Sequence, residues 1–182
     1  NTSSCGKCLM ELYEWGWIKK IPRIAVINAD GANTLDVLYN GKFENTELRW
    51  NKGNPDTKLI EDYYVKMNKD HIRPKTKATA IQIGKPVNLL KGIRALEFTD
   101  GVVTTVTDKE MLDGMSIVGL NGFDCEMASG AVPAGIKKLL NDNIMKKDDK
   151  IIGILTGRQK EPLLPINYHN DPTNKFAKPP KR

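Results

Sequence analysis

Cysteine, histidine and long hydrophobic runs are all scarce in this sequence. Its 182 residues include three cysteines and two histidines, too few cysteines for a disulfide framework. No apolar run approaches the roughly 18 residues that a membrane-spanning helix needs, and no secretory signal is visible. We therefore expect a protein of a reducing compartment, the cytoplasm or an organelle, that neither enters a membrane nor binds a metal ion.

The composition is that of a globular protein. Hydrophobic residues make up 40% of the chain and charged residues 27%, which excludes a largely disordered polymer. The net charge of +6 would suit an anionic ligand or a nucleic acid. The lysines are scattered, however, and the chain contains no nucleic-acid-binding motif. We therefore expect no nucleic-acid binding.

Cys5-Gly-Lys-Cys8 is a C-x-x-C motif that allows two interpretations. At a helix N-terminus this spacing lowers the pKa of a thiol and supports redox chemistry. Alternatively, both thiols lie one turn apart on a buried helical face beside Leu9 and Leu12. We favour packing, and a non-catalytic interaction or redox module that uses Cys5 and Cys8 stays as an alternative.

Apolar periodicity and turn residues predict strands that alternate with helices. The predicted helices run from Ser3 or Ser4 to about Lys19, from Gly31 to Tyr39, around Leu59–Met67, from Val87 to Leu96, from a capping box at Thr107, and over Glu126–Leu140. The predicted strands are Arg23–Asn28, Gly101–Val106 and the apolar run that ends at Thr156. This order predicts an α/β fold with a largely parallel sheet flanked by helices. We also expect a polar insertion near 42–74 and an extended tail near 162–182.

The stretch from Gly122 to Gly157 is the most informative part of the sequence. A carboxylate, Glu126, precedes a run of small residues that becomes amphipathic, so a helix there could lie very close to another backbone. The following apolar run ends in Thr156-Gly157. Ligands of open α/β sheets bind at the carboxyl ends of the strands, so we expect the Thr156 hydroxyl to face a ligand.

This combination resembles the C-terminal half of the threonine synthases, pyridoxal-phosphate enzymes of the tryptophan-synthase-β-like fold, called fold type II. Other stretches agree with that family in order and spacing: Leu12–Ile18 with Ile21 and Pro22, Ala25–Thr34, Ala78–Asn88, and Asn167–His169 with Phe176, Ala177, Pro179 and Pro180. The resemblance covers nearly the whole chain. It implies that residues 1–182 are a fragment, the C-terminal part of a catalytic domain.

The resemblance also implies a set of contacts with pyridoxal 5'-phosphate. Thr156 would meet the pyridine nitrogen of the cofactor, and Glu126 would lie near the ring. Thr79 and Ala80 would line the other edge of the ring. The phosphate contacts, Asn1 and Thr2, would form the end of a phosphate-binding loop before a helix, whose N-terminus favours an anion.

The catalytic lysine that holds this cofactor as a Schiff base would lie in the N-terminal part of the enzyme, so we expect no catalytic residue within this chain. The implied reaction converts O-phospho-L-homoserine and water to L-threonine and phosphate, and the fragment alone would be inactive. A homodimer would also be compatible with the resemblance. Another fold type II enzyme, a cysteate synthase or a threonine dehydratase, stays as an alternative.

Overall fold

The computed structural model describes residues 1–158, so the predicted tail near 162–182 lies outside the described residues. The described part forms six α-helices and two strands. The helices are α1 (Thr2–Glu14), α2 (Thr34–Tyr39), α3 (Thr57–Lys69), α4 (Leu89–Phe98), α5 (Asp108–Leu120) and α6 (Met127–Asn141). The strands are β1 (Ala25–Ala29) and β2 (Val102–Val106), and short 3-10 turns cover Asn51–Gly53 and Thr79–Ile81.

The α/β class is confirmed, and β1 and β2 pair as a parallel two-stranded sheet. Within residues 1–158, none of the helices combines the length and the apolar character needed to cross a membrane. The chain divides into two compact units. The first unit consists of Asn1–Lys75 and Ile83–Thr105, and the second consists, among the described residues, of Thr76–Gln82 and residues 106–158.

The first unit has a hydrophobic core built from its helices and its strands. Three leucines and one isoleucine, Leu38, Leu48, Ile93 and Leu96, are fully buried within it. The segment predicted as a polar insertion, residues 42–74, contains α3. This helix is amphipathic, and its apolar face is buried. Phe43, Leu48, Leu59, Tyr63 and Met67 from this segment all join the core.

Helix α1 is shorter than predicted and differs at both ends. Its N-cap is Asn1, not Ser3 or Ser4, and no side chain caps it. Helical structure ends at Glu14, because Gly16 adopts a positive φ of 73° that reverses the chain. The predicted extension to Lys19 is therefore wrong.

Helix α1 contacts α4 through the face that contains Gly6. A Cβ atom on Gly6 would lie 2.2 Å from Cβ of Ala95, so the two helices approach at Gly6. Cys5 is half-buried and Cys8 is exposed. The prediction that both thiols lie on a buried face is wrong for Cys8, because the buried position of this helix is Gly6.

The second unit is organised around the pairing of α5 and α6. Helix α5 begins with the predicted capping box, in which the Thr107 hydroxyl accepts from the Glu110 N–H at 3.2 Å and the Glu110 carboxylate accepts from the Thr107 N–H at 2.7 Å. The small residues of α6 let it approach α5 closely. A Cβ atom on Gly130 would lie 2.3 Å from the carbonyl oxygen of Met111.

Candidate functional site

Within the second unit, a backbone hydrogen bond and an ion pair join the segment Leu155–Arg158 to the start of α6. The Glu126 N–H donates to the Gly157 carbonyl at 3.0 Å, which joins the two backbones. Arg158 Nε lies 3.3 Å from the Asp124 carboxylate, an exposed ion pair across the same junction. Glu126 and Thr156, two of the predicted cofactor-binding residues, therefore lie close to each other at the start of α6.

The segment that carries Thr156 is not the predicted strand. Residues 151–158 have no regular secondary structure, and Ile152 is 89% exposed. A strand needs a neighbouring strand to pair its backbone groups, and the sheet of the described residues contains β1 and β2 alone. Here the backbone N–H groups of Thr156 and Gly157 bond to a side chain instead.

That side chain is Ser129, one of the small residues that follow Glu126. The Ser129 Oγ accepts hydrogen bonds from the N–H of Thr156 at 3.0 Å and from the N–H of Gly157 at 3.1 Å. It also lies 3.4 Å from the Thr156 Oγ1. Ser129 is 1% exposed whereas Thr156 is exposed. One sequence feature could have indicated that Ser129 binds this segment. It is the one hydroxyl among the small residues that begin α6, and α6 precedes Thr156-Gly157 in the chain.

Glu126 is the N-cap residue of α6, and its side chain makes no capping hydrogen bond. Its carboxylate instead packs against Gly157, where an added Cβ atom would lie 2.2 Å from Glu126 Oε1. Gly157 therefore leaves the space that this carboxylate occupies. The N-terminal location also favours an anion, because the helix dipole is positive there.

Thr79 and Ala80 lie in the 3-10 turn Thr79–Ile81, and both are exposed. The turn contacts α6 within the second unit. The loop before it is anchored by Asp108, whose carboxylate accepts hydrogen bonds from the Thr76 hydroxyl and, at 3.0 Å, from the Lys77 N–H. The structure thus brings this turn to α6, the helix whose N-cap is Glu126.

Asn1 and Thr2 belong to the first unit, at the start of α1. Asn1 is exposed and Thr2 is half-buried. Because no side chain caps α1, the first-turn N–H groups of this helix are available to an acceptor such as a phosphate oxygen. Their phosphate role stays a prediction that rests on α1 alone.

Cys125 is the titratable group with a shifted pKa in this region. Its side chain is 2% exposed, and burial raises the pKa of the thiol above its ordinary value of 9.0, with smaller contributions from Asp124 and Glu126. This thiol is therefore protonated at neutral pH and a poor nucleophile. Among residues 1–158, no group of three or more His, Cys, Asp or Glu side chains could hold a metal ion.

The donor set around Thr156 fits a neutral aromatic nitrogen. Thr156 is exposed, and its Oγ1 lies 3.4 Å from another hydroxyl, that of Ser129. A hydroxyl can donate to an unprotonated pyridine nitrogen, whereas a carboxylate at this place would stabilise the protonated ring. The side chains present therefore fit the ring of pyridoxal phosphate.

Comparison with known proteins finds similar sequences in archaea and plants. No protein-family model matches the chain. The chain is 32% identical to a threonine synthase of Methanocaldococcus jannaschii over an alignment of 177 residues, which covers 94% of this chain and 38% of that protein. It is 37% identical to a threonine synthase of Methanosarcina acetivorans over 102 residues, or 55% of this chain and 25% of that protein. The chloroplastic threonine synthase 2 of Arabidopsis thaliana is 25% identical over 166 residues, or 90% of this chain and 28% of that protein. The chain therefore spans less than half the length of these relatives.

Proposed function

Since this chain is homologous to the threonine synthases along nearly its whole length, we propose that it forms part of a pyridoxal-phosphate-dependent lyase. In the full-length protein this enzyme would convert O-phospho-L-homoserine and water to L-threonine and phosphate. The observation that carries the proposal is the 32% identity over 94% of the chain. The contact of Ser129 with Thr156 supports it, because it presents a neutral hydroxyl next to a carboxylate at the start of α6.

Thr156 and Glu126 have different roles next to the cofactor ring. Pyridoxal phosphate, when bound, supplies an electron sink for carbanions at Cα and Cβ of the substrate. Thr156 donates a hydrogen bond to the ring nitrogen and thereby leaves it unprotonated. Glu126 lies beside the ring, where its carboxylate orients polar groups of the cofactor or the substrate.

The remaining contacts bind without taking part in proton transfer. Thr79 and Ala80, in the exposed turn that contacts α6, line an edge of the ring and exclude water from it. For Asn1 and Thr2 we propose a phosphate-binding role on the strength of α1 alone, whose first turn has no side-chain cap. In this proposal the lysine that would carry the cofactor belongs to the part of the family's sequence that this chain does not span. We also propose a homodimer, which sedimentation of the full-length protein would test.

The direct test is an assay of the full-length protein with O-phospho-L-homoserine. We expect phosphate and L-threonine in equal amounts, and we expect both to depend on added pyridoxal phosphate after the cofactor has been removed. Ammonia release from L-threonine without activity on O-phospho-L-homoserine would instead favour a threonine dehydratase. Absence of both activities in a protein that binds the cofactor would contradict the proposal.

A further inference from the structure

We propose that Ser129 is a positioning residue that fixes the direction of the Thr156 hydroxyl, so that Thr156 acts as a hydrogen-bond donor to a neutral ring nitrogen. This inference rests on the proposed function and deepens it.

A serine hydroxyl has one hydrogen to donate and two lone pairs to accept with. Ser129 Oγ accepts from two backbone donors, the N–H of Thr156 at 3.0 Å and that of Gly157 at 3.1 Å. Both of its lone pairs are therefore used. The remaining role of this hydroxyl is to donate its own hydrogen.

The Thr156 Oγ1 lies within reach of that hydrogen, at 3.4 Å from Ser129 Oγ. Because Ser129 is 1% exposed, water does not compete for the hydrogen, and buried hydroxyls are nearly always hydrogen-bonded. The distance exceeds the usual range of about 2.5–3.0 Å for a bond between two oxygens. The bond is therefore weak, and its effect lies in the direction it imposes on Thr156.

Once Thr156 Oγ1 accepts from Ser129, the hydrogen of Thr156 points away from Ser129. Thr156 is exposed, so this hydrogen is directed to solvent or to a ligand. An unprotonated aromatic nitrogen accepts such a hydrogen bond, whereas a ring C–H does not. The arrangement therefore selects a ligand with a neutral ring nitrogen over a ligand of the same shape that lacks it.

The test compares two probes of equal shape on the full-length protein: pyridoxal phosphate and an analogue whose ring nitrogen is replaced by C–H. The variants are Ser129→Ala and Ser129→Cys, since a thiol is close in size but a weak hydrogen-bonding group. Ser116→Ala is the matched control. Ser116 is a buried serine of α5, and its hydroxyl donates to the Leu112 carbonyl of its own helix at 3.1 Å.

We expect the wild-type protein and Ser116→Ala to bind pyridoxal phosphate about tenfold more tightly than the analogue. Both Ser129 variants should lower that ratio by about fivefold, the size of one hydrogen bond. Amide hydrogen exchange at Thr156 and Gly157 should also become faster in Ser129→Ala, because these N–H groups lose their acceptor. It should stay unchanged in Ser116→Ala.

The outcomes separate this inference from the proposed function. If pyridoxal phosphate binds and the Ser129 variants keep the wild-type ratio, the positioning role is wrong while the proposed function stands. Faster exchange with an unchanged ratio likewise overturns it, since Ser129 would then only hold the backbone. If wild-type protein does not bind pyridoxal phosphate, both proposals fail.

Discussion

The backbones of Gly114 in α5 and Gly130 in α6 approach so closely that a Cβ atom on Gly114 would lie 2.1 Å from the carbonyl oxygen of Gly130. Gly130 directly follows Ser129, the residue that binds the N–H groups of Thr156 and Gly157. The close helix crossing therefore holds the start of α6 in place. It links a packing feature of the second unit to the proposed ligand-binding groups.

Replacing Gly114 by alanine should destabilise the protein because neither backbone can move aside easily. We expect a loss of about 1–3 kcal/mol in the free energy of unfolding, the usual cost of overpacking. The control is Gly119→Ala in the same helix, where an added Cβ atom meets no atom within 4 Å. The control should be neutral or slightly stabilising, because alanine favours a helix. Denaturant unfolding of both variants would show this, and equal stabilities would contradict it.

Cys8 and Cys125 should differ strongly in their rates of alkylation in the native protein. Cys8 is exposed, whereas Cys125 is buried and the pKa of its thiol is raised above 9.0, first by burial and then by Asp124 and Glu126. We expect rapid labelling of Cys8 at neutral pH and slow labelling of Cys125, measured by peptide mass spectrometry. In denaturant the two rates should become similar.

The raised pKa of Cys125 also predicts the direction of a pH effect. Above pH 9.0 the unfolded state loses the thiol proton while the folded state keeps it, so this group's contribution to stability is lost as pH rises through the folded pKa. The labelling rate of native Cys125 should therefore rise with a midpoint above 9.0. A midpoint below that value would contradict the assigned burial.

Gly157→Ala should alter function more than stability. The added Cβ atom would lie 2.2 Å from Glu126 Oε1, and this oxygen is the end of a flexible side chain that can move away. We expect a change of less than about 1 kcal/mol in the free energy of unfolding and, in the proposed full-length enzyme, a lower turnover of O-phospho-L-homoserine. Unchanged turnover would mean that the position of the Glu126 carboxylate does not matter. Gly119→Ala again provides the control.

The features that sequence patterns predicted well are local ones. The capping box at Thr107 was correct because its two partners lie three residues apart, and Glu126 was correctly placed before a helix of small residues. Two of the three predicted strands, Arg23–Asn28 and Gly101–Val106, became β1 and β2. The capping box and the start of α6 depend on neighbours within a few residues, which a sequence displays directly, and the two strands have a strand-like local composition.

The features that were missed depend on contacts far apart in the chain. The apolar run before Thr156 has strand-like composition, but no strand among the described residues pairs with it. Cys8 was expected to be buried, and only the packing of Gly6 against Ala95 shows which face of α1 is covered. The Ser129 contact spans 27 residues, so no local pattern could reveal it.

The most direct test of the account is the affinity of the full-length protein for pyridoxal phosphate when Thr156 is changed. Thr156→Val removes the hydroxyl and keeps the shape of the side chain, whereas Thr156→Ser keeps the hydroxyl. We predict that Thr156→Val loses about 1–3 kcal/mol of binding free energy, or about 5- to 150-fold in dissociation constant, and that Thr156→Ser binds as the wild type does. Equal affinities for all three proteins, measured by equilibrium titration, would contradict a hydrogen bond between Thr156 and the cofactor ring.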